Sequence, residues 1–99
     1  MKLMFYVYVL RSQKNGSIYV GSTKNLEKRI DQHNAGLTIS TMRNIPWELI
    51  YYEAYTDEIL ARKREKRLKY HGNAMKELKS RALISSDVKS PTLSTLDKS

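Results

Sequence analysis

The opening of the chain does most to limit what it can fold into. Residues 3–11, Leu-Met-Phe-Tyr-Val-Tyr-Val-Leu-Arg, are an almost unbroken β-branched and aromatic run, the composition of a buried or half-buried strand. Gln13-Lys14-Asn15-Gly16 supplies turn chemistry, because Asn and Gly tolerate the positive φ of a tight reversal. Ser17-Ile18-Tyr19-Val20-Gly21 then reads as the returning strand of a β-hairpin. One Lys followed by an apolar run also resembles a signal peptide. The run stops at Arg11 without a small-residue cleavage site, so it is read as strand.

The rest of the chain must cover that hairpin. Ser22 or Thr23 is expected to cap a helix running to about Ala35, with Gly36 as its terminator. Its buried stripe is expected at Leu26, Ile30, His33 and Leu37, with Arg29 at the stripe's edge. Residues 38–47 read as a loop closed by Ile45-Pro46-Trp47, and 48–55 as a third strand. Asp57 is placed to cap a second helix over 58–70, ending near Gly72, and Asn73 to start a short third helix over 74–81. The order ββαβαα describes a three-stranded sheet covered by helices, an α+β domain. That domain is expected at 1–84. From Ser85 the chain is Ser, Thr, Asp and Lys with few large apolar residues, so 85–99 is expected to be a mobile tail.

Length and composition exclude several classes. At 99 residues there is room for one core. With no cysteine, disulfides and thiolate metal sites are excluded, and any metal must be held by oxygen or imidazole. No stretch approaches the ~20 apolar residues that span a bilayer, so a soluble, cytoplasmic protein without a membrane role is expected. The net charge of +8, from 18 Lys+Arg against 10 Asp+Glu, favours polyanions. Nucleic acid and anionic lipid both answer to that.

Several residues could carry chemistry. Any hairpin with an even number of loop residues puts Tyr8 and Tyr19 on one face. A loop centred on Gln13-Lys14 sets them opposite each other, and an Asn15-Gly16 turn offsets them along the sheet. Packing alone also explains tyrosine in strands, and this chain has seven. In the second helix Ala61, Glu65 and Leu68 fall at i, i+4 and i+7, turning a carboxylate toward the apolar side. Burial demands a cation there, either a neighbouring Arg or Lys or a hard metal ion. Arg29 and His33 lie one turn apart. They read either as an exposed arginine and a satisfied buried histidine, or as the fixed cation and proton carrier of phosphoryl transfer.

Together these residues resemble the GIY-YIG nuclease superfamily. Tyr6-Val7-Tyr8 and Tyr19-Val20-Gly21 stand in the places of the paired signature, with Tyr6 where Gly stands and Val for Ile in both. Gly21-Ser-Thr-Lys-Asn-Leu26 leads on to Arg29 and His33-Asn34, and Ala61-x-x-x-Glu65 follows the third strand. The likeness covers about residues 3–70 and is greatest to the short stand-alone UPF0213, or excision-nuclease C-subunit-like, group. Thr41 and Pro46-Trp47 are also similar to the catalytic subunit of eukaryotic junction nucleases.

The resemblance implies an α/β sandwich around a three-stranded antiparallel sheet, and an endonuclease that cuts DNA, with repair or recombination as its setting. By position, Tyr8 would activate the attacking water and Tyr19 would line the site. Arg29 would face the phosphate, His33 would assist the nucleophile or its tyrosine, and Glu65 would be the single protein ligand of Mg²⁺ or Mn²⁺. Tyr8 would then need a pKa lowered from about 10 by surrounding cations. Excision-repair C subunits carry Lys after the second motif's Gly, where this chain has Ser22, so charge near the phosphate is expected from Lys24. Lys24, Lys28, Arg62, Lys66 and Lys69 are the candidate phosphate contacts, and double-strand cuts call for a second copy or a protein partner. Two rivals stand beside this reading: a nucleic-acid-binding module that keeps the fold without cleaving, and a protein of anionic surfaces or the ribosome with no site at all.

Overall fold

The structure is a computed structural model and describes residues 3–80. Strands β1 (Phe5–Ser12), β2 (Ile18–Thr23) and β3 (Trp47–Tyr55) form one antiparallel sheet in the order β2-β1-β3. Helices α1 (Leu26–Asn34), α2 (Glu58–Tyr70) and α3 (Gly72–Ser80) complete the order ββαβαα. The central strand is buried on both faces, with Val7, Tyr8, Val9 and Leu10 each at most 1% exposed. Such a strand has no polar face, so its sequence is a continuous apolar run. Val7 and Val9 pack with Ala61 and Leu68 of α2 and Ala74 and Leu78 of α3. Tyr8 and Leu10 point the other way, to Trp47 and to Leu26 and Ile30 of α1.

The four apolar residues Leu49 to Tyr52 break simple alternation in β3, and a bulge accommodates them. Val9 pairs with Tyr51 and Leu10 with Leu49, leaving Ile50 as the extra residue. Ile50 and Tyr51 therefore both join the core under α2 and α3, while the half-buried Tyr52 packs against both clusters. The next carboxylate on β3 fastens α2 to the sheet. Glu53 accepts Arg64 Nε at 2.9 Å and Nη2 at 3.0 Å, the Tyr55 hydroxyl at 2.6 Å, and the Tyr51 hydroxyl.

Helix boundaries differ from expectation mostly at α1. Ser22 and Thr23 do not cap it, because the β1–β2 ladder extends through them, pairing with Val7 and Tyr6. Asn25 caps instead, its side chain accepting from Lys28 N at 3.1 Å. The helix stops at Asn34, so Leu37 lies beyond the periodic face and is 72% exposed rather than part of the stripe. Asp57 caps α2 as expected, accepting from Ile59 N at 2.8 Å. Helix α3 starts at Gly72, earlier than read, and the loop before β3 contains a 3-10 turn, Met42–Asn44. The boundary at 84 and the expected tail over 85–99 lie outside the described residues.

Candidate active site

Four residues close the β1–β2 hairpin, 13–16, with Gly16 at φ +78° and Ser12 N donating to Ser17 O at 2.8 Å. That loop is centred on Lys14-Asn15, between the two alternatives considered above. Tyr8 consequently pairs with Gly21, and Tyr19 with Leu10. The tyrosines share a face, as parity requires, but stand diagonally with ring centroids 6.3 Å apart. The Tyr8 ring lies directly over Gly21: a Cβ there would fall 2.4 Å from the Tyr8 hydroxyl oxygen. Glycine is required at this position by the ring's approach, not by its own backbone angles.

Helix α1 brings His33 to the same place. Its ring is wholly buried, 5.8 Å from the Tyr8 ring and 4.9 Å from the Tyr19 ring between centroids. Nε2 is 2.8 Å from the Tyr8 hydroxyl, and Nδ1 is 2.8 Å from Thr41 Oγ1. Arg29, one turn earlier, sets its guanidinium beside the Tyr8 hydroxyl and donates to Gln32 Oε1 at 3.1 Å. The end of α1 is pinned by Asn34, whose side chain accepts from Trp47 N at 2.7 Å and donates to Trp47 O at 3.0 Å. Trp47 Nε1 in turn donates to Thr41 O at 2.8 Å, fixing the loop that carries Thr41.

Electrostatics reverse one expectation. Burial pushes the Tyr8 phenol up to about 12; Arg29 opposes this but does not overcome it, and Tyr19 and Glu65 add to the rise. The tyrosine is thus a phenol with a raised pKa, not one lowered by neighbouring cations, because desolvation of the anion outweighs one guanidinium. His33 is lowered below its ordinary value, first by burial and then by Arg29, so it is neutral. A neutral imidazole has one ring nitrogen free to accept a proton.

Glu65 approaches from α2. Strand β2 is the sheet's edge, with Tyr19 directed to the α1 face and Ser22 paired to Val7 on the α2 face. Ser22 Oγ donates to Glu65 Oε1 at 2.6 Å, and Lys69 Nζ lies 2.8 Å from Oε2. The same ammonium is 5.8 Å from the centre of the Tyr19 ring, so Lys69 joins the two halves of the site. Burial alone would raise Glu65; hydrogen bonds from Lys69 and Ser22 more than reverse it and leave the carboxyl below its usual range. Ser22, at the position of the family's lysine, therefore hydrogen-bonds the glutamate, and Lys69 is the cation paired with it. Lys24 instead sits over the Phe5 ring, 5.9 Å from its centre.

Beside Glu65 runs an open groove of about 390 Å³ lined by Arg62, Lys66, Lys69 and Tyr70. Arg62, Lys66 and Lys69 thus lie on the glutamate's side of α2, whereas Lys28 is exposed on the first turn of α1. Among the described residues no group of three or more His, Cys, Asp or Glu could hold a metal ion. A single carboxylate on an open groove fits a hard cation that completes its shell with water and phosphate oxygens, the usual habit of Mg²⁺. It does not fit a closed structural site. Asn34 and Thr41 stand out in the sequence only through the family resemblance. Their signal was the Asn next to His33 and the Thr six residues before Trp47, neither of which has a periodicity to interpret.

This buried Tyr-His pair with Arg29 beside it, on a β2-β1-β3 sheet with a helix glutamate at the edge, defines a class. The GIY-YIG catalytic domain model matches residues 4–78, and the chain belongs to that family, whose domain is that of an endonuclease. Within it, the chain groups with the short UPF0213 proteins. It is 43% identical to one from Clostridium perfringens over 63 residues, covering 63% of this chain and 67% of that protein. It is 37% identical to another from Lactiplantibacillus plantarum over 78 residues, covering 76% and 74%. The solution structure of a UPF0213 protein from Bacillus halodurans superposes with a TM-score of 0.51 at 27% identity, covering 81% of this chain and 85% of that one. The structure-specific endonuclease subunit SLX1 of Podospora anserina is 42% identical over 53 residues, 48% of this chain but 15% of that much longer protein. Among the described residues no helix is long and apolar enough to cross a membrane.

Proposed function

We propose that the chain is a divalent-metal-dependent endonuclease that hydrolyses phosphodiester bonds in DNA. The observation that carries this reading is the buried 2.8 Å contact of the Tyr8 hydroxyl with the neutral His33 Nε2. Water attacks phosphorus as its proton passes to the Tyr8 oxygen and the Tyr8 proton passes to Nε2. The new P–O bond forms as the bond to the leaving oxygen breaks, and that oxygen takes a proton from solvent. Because the phenol titrates at about 12, its proton leaves in step with the attack instead of beforehand. Arg29 offsets charge building on the phosphate. Tyr19 walls the site, and Lys24, Lys28, Arg62, Lys66 and Lys69 are the cations for flanking phosphates. Glu65 would hold Mg²⁺ or Mn²⁺, which when bound supplies positive charge against the phosphoryl and leaving oxygens.

The likeness to a subunit of a structure-specific endonuclease supports a partner or second copy for this small domain. DNA repair or recombination in the cytoplasm is the proposed setting. The test is cleavage of labelled duplex, single-stranded, flap and branched DNA and of RNA, with and without Mg²⁺ or Mn²⁺, by the wild type and Tyr8→Phe. Metal-dependent cutting of DNA that disappears in Tyr8→Phe is expected. Binding without cutting of any substrate would overturn the assignment in favour of a non-cleaving module.

A further inference from the structure

Resting on the nuclease reading above, we infer that Thr41 is a positioning residue that fixes which ring nitrogen of His33 faces Tyr8 as a bare acceptor. The argument is an accounting of hydrogens in a buried chain of contacts. At one end the Arg29 guanidinium, a cation that only donates, stands beside the Tyr8 hydroxyl. At the other stands the Thr38 carbonyl, which only accepts and lies 3.4 Å from Thr41 Oγ1. Between them, the Tyr8 hydroxyl, His33 and the Thr41 hydroxyl are joined by two 2.8 Å contacts. His33 and Thr41 are wholly buried, so water does not replace the contact between them.

A cation at one end and an acceptor at the other favour one direction throughout. The Tyr8 oxygen turns its lone pairs to the Arg29 cation, so its own hydrogen goes to His33 Nε2. Thr41 gives its hydrogen to Thr38 O, so its oxygen accepts from Nδ1–H. The opposite tautomer, Nε2–H, would set both Nε2–H and the Arg29 cation against the Tyr8 oxygen and leave the tyrosine's hydrogen without its imidazole acceptor. An unmade hydrogen bond at a buried group is what sets the preference. Thr41 is itself held in place by its backbone, its N–H donating to Thr38 O at 3.1 Å and its carbonyl accepting Trp47 Nε1 at 2.8 Å. The threonine therefore touches neither substrate nor reacting atoms, and acts through the imidazole.

The test reads the imidazole directly. Long-range ¹⁵N–¹H correlation spectra of ring-labelled protein, with His71→Gln to leave one histidine, report which nitrogen carries the proton without any substrate. The wild type and Thr41→Ser are expected to show Nδ1–H, and Thr41→Val a shift toward Nε2–H. In parallel, kcat of Thr41→Val should fall about 10- to 100-fold, the range for residues that orient a functional imidazole, with KM unchanged and Thr41→Ser restoring most of the rate. Nε2–H in the wild type would overturn the inference with no variant needed. So would an unchanged spectrum in folded Thr41→Val, or a shifted spectrum with full kcat. A wild type that cleaves nothing would sink the nuclease reading alone, since the spectrum still decides what Thr41 does to His33.

Discussion

Two glutamates on opposite sides of α2's attachment to the sheet meet the same physics and end in different states. Glu53 and Glu65 have side chains 18% and 20% exposed, and each is paired with a cation. Burial raises both carboxyls, and hydrogen bonds bring both below the ordinary range. Their donors differ. Glu53 is saturated by two tyrosine hydroxyls and a two-pronged Arg64, all converging from packed elements. Glu65 has one serine and one lysine from its own helix, and its other side faces the groove. A planar guanidinium fork is hard to replace, whereas a lysine ammonium on a flexible stem is a point charge that another cation can displace. The first carboxylate is built into the fold, and the second is left exchangeable.

The largest expected effect separates the two by activity. Glu65→Gln should lower cleavage by about 10³-fold, the scale for removing a group that stabilises transition-state charge. Glu53→Gln, assayed well below its melting temperature, should keep kcat within about threefold. Equal losses in both variants would break the division. Stability should rank them the other way. Glu53→Gln leaves Arg64 half-buried without its fork and should lose about 2–3 kcal/mol, whereas Glu65→Gln should lose under about 1 kcal/mol. For a domain of this size the first corresponds to roughly 10–20 °C in Tm.

That division was only half visible in the sequence. Glu65 stood out because Ala61 and Leu68 share its helical face, a periodic signal. Tyr8 and Tyr19 could be put on one face by parity, and Asp57 marked its helix start by residue type. Glu53 carried no such mark: its partner Arg64 is 11 residues away, and side-chain pairing at that range has no period. Ser22, like Thr23, has the residue type of a cap, and nothing in the sequence says that the hairpin ladder runs through it. It reaches Glu65 from 43 residues away. Thr41 lies in a loop, where neither alternation nor helical spacing applies, and His33 was recognisable only as one of two readings. The bulge at Ile50 was hidden for a similar reason, since a four-residue apolar run does not say which residue is extra.

A smaller effect sharpens the idea of an exchangeable cation. Lys69→Met removes the ammonium 2.8 Å from Glu65 Oε2 and should strengthen Mn²⁺ binding about fivefold, the equivalent of a partly exposed pair worth about 1 kcal/mol. Paramagnetic resonance of free Mn²⁺, titrated with protein and no nucleic acid, measures this. Arg64→Met should leave Mn²⁺ affinity unchanged. Weaker Mn²⁺ binding in Lys69→Met would mean that the lysine orders Glu65 for the metal instead of competing with it.

The smallest effect is the dependence of stability on acid, where the sign follows from which state binds protons. Glu53 and Glu65 both titrate lower in the folded chain than at their ordinary 4.5. As pH falls below that value the unfolded chain takes up protons that the folded one refuses, so stability rises with pH there and is lost on acidification. His33 acts in the same direction from higher pH. Its folded value lies below 6.5, so the unfolded chain protonates first and stability starts to fall beneath about that pH. Urea melts from pH 7 to pH 3 should therefore show two limbs. His33→Gln should flatten the upper one. Glu53→Gln should flatten the lower one more than Glu65→Gln does, because more fixed donors depend on its charge. If Glu65→Gln flattens the lower limb as much, the serine and lysine hold their carboxylate as firmly as the tyrosines and arginine hold theirs. Glu65 would then be an anchor of the fold, with no slack for an exchanging metal.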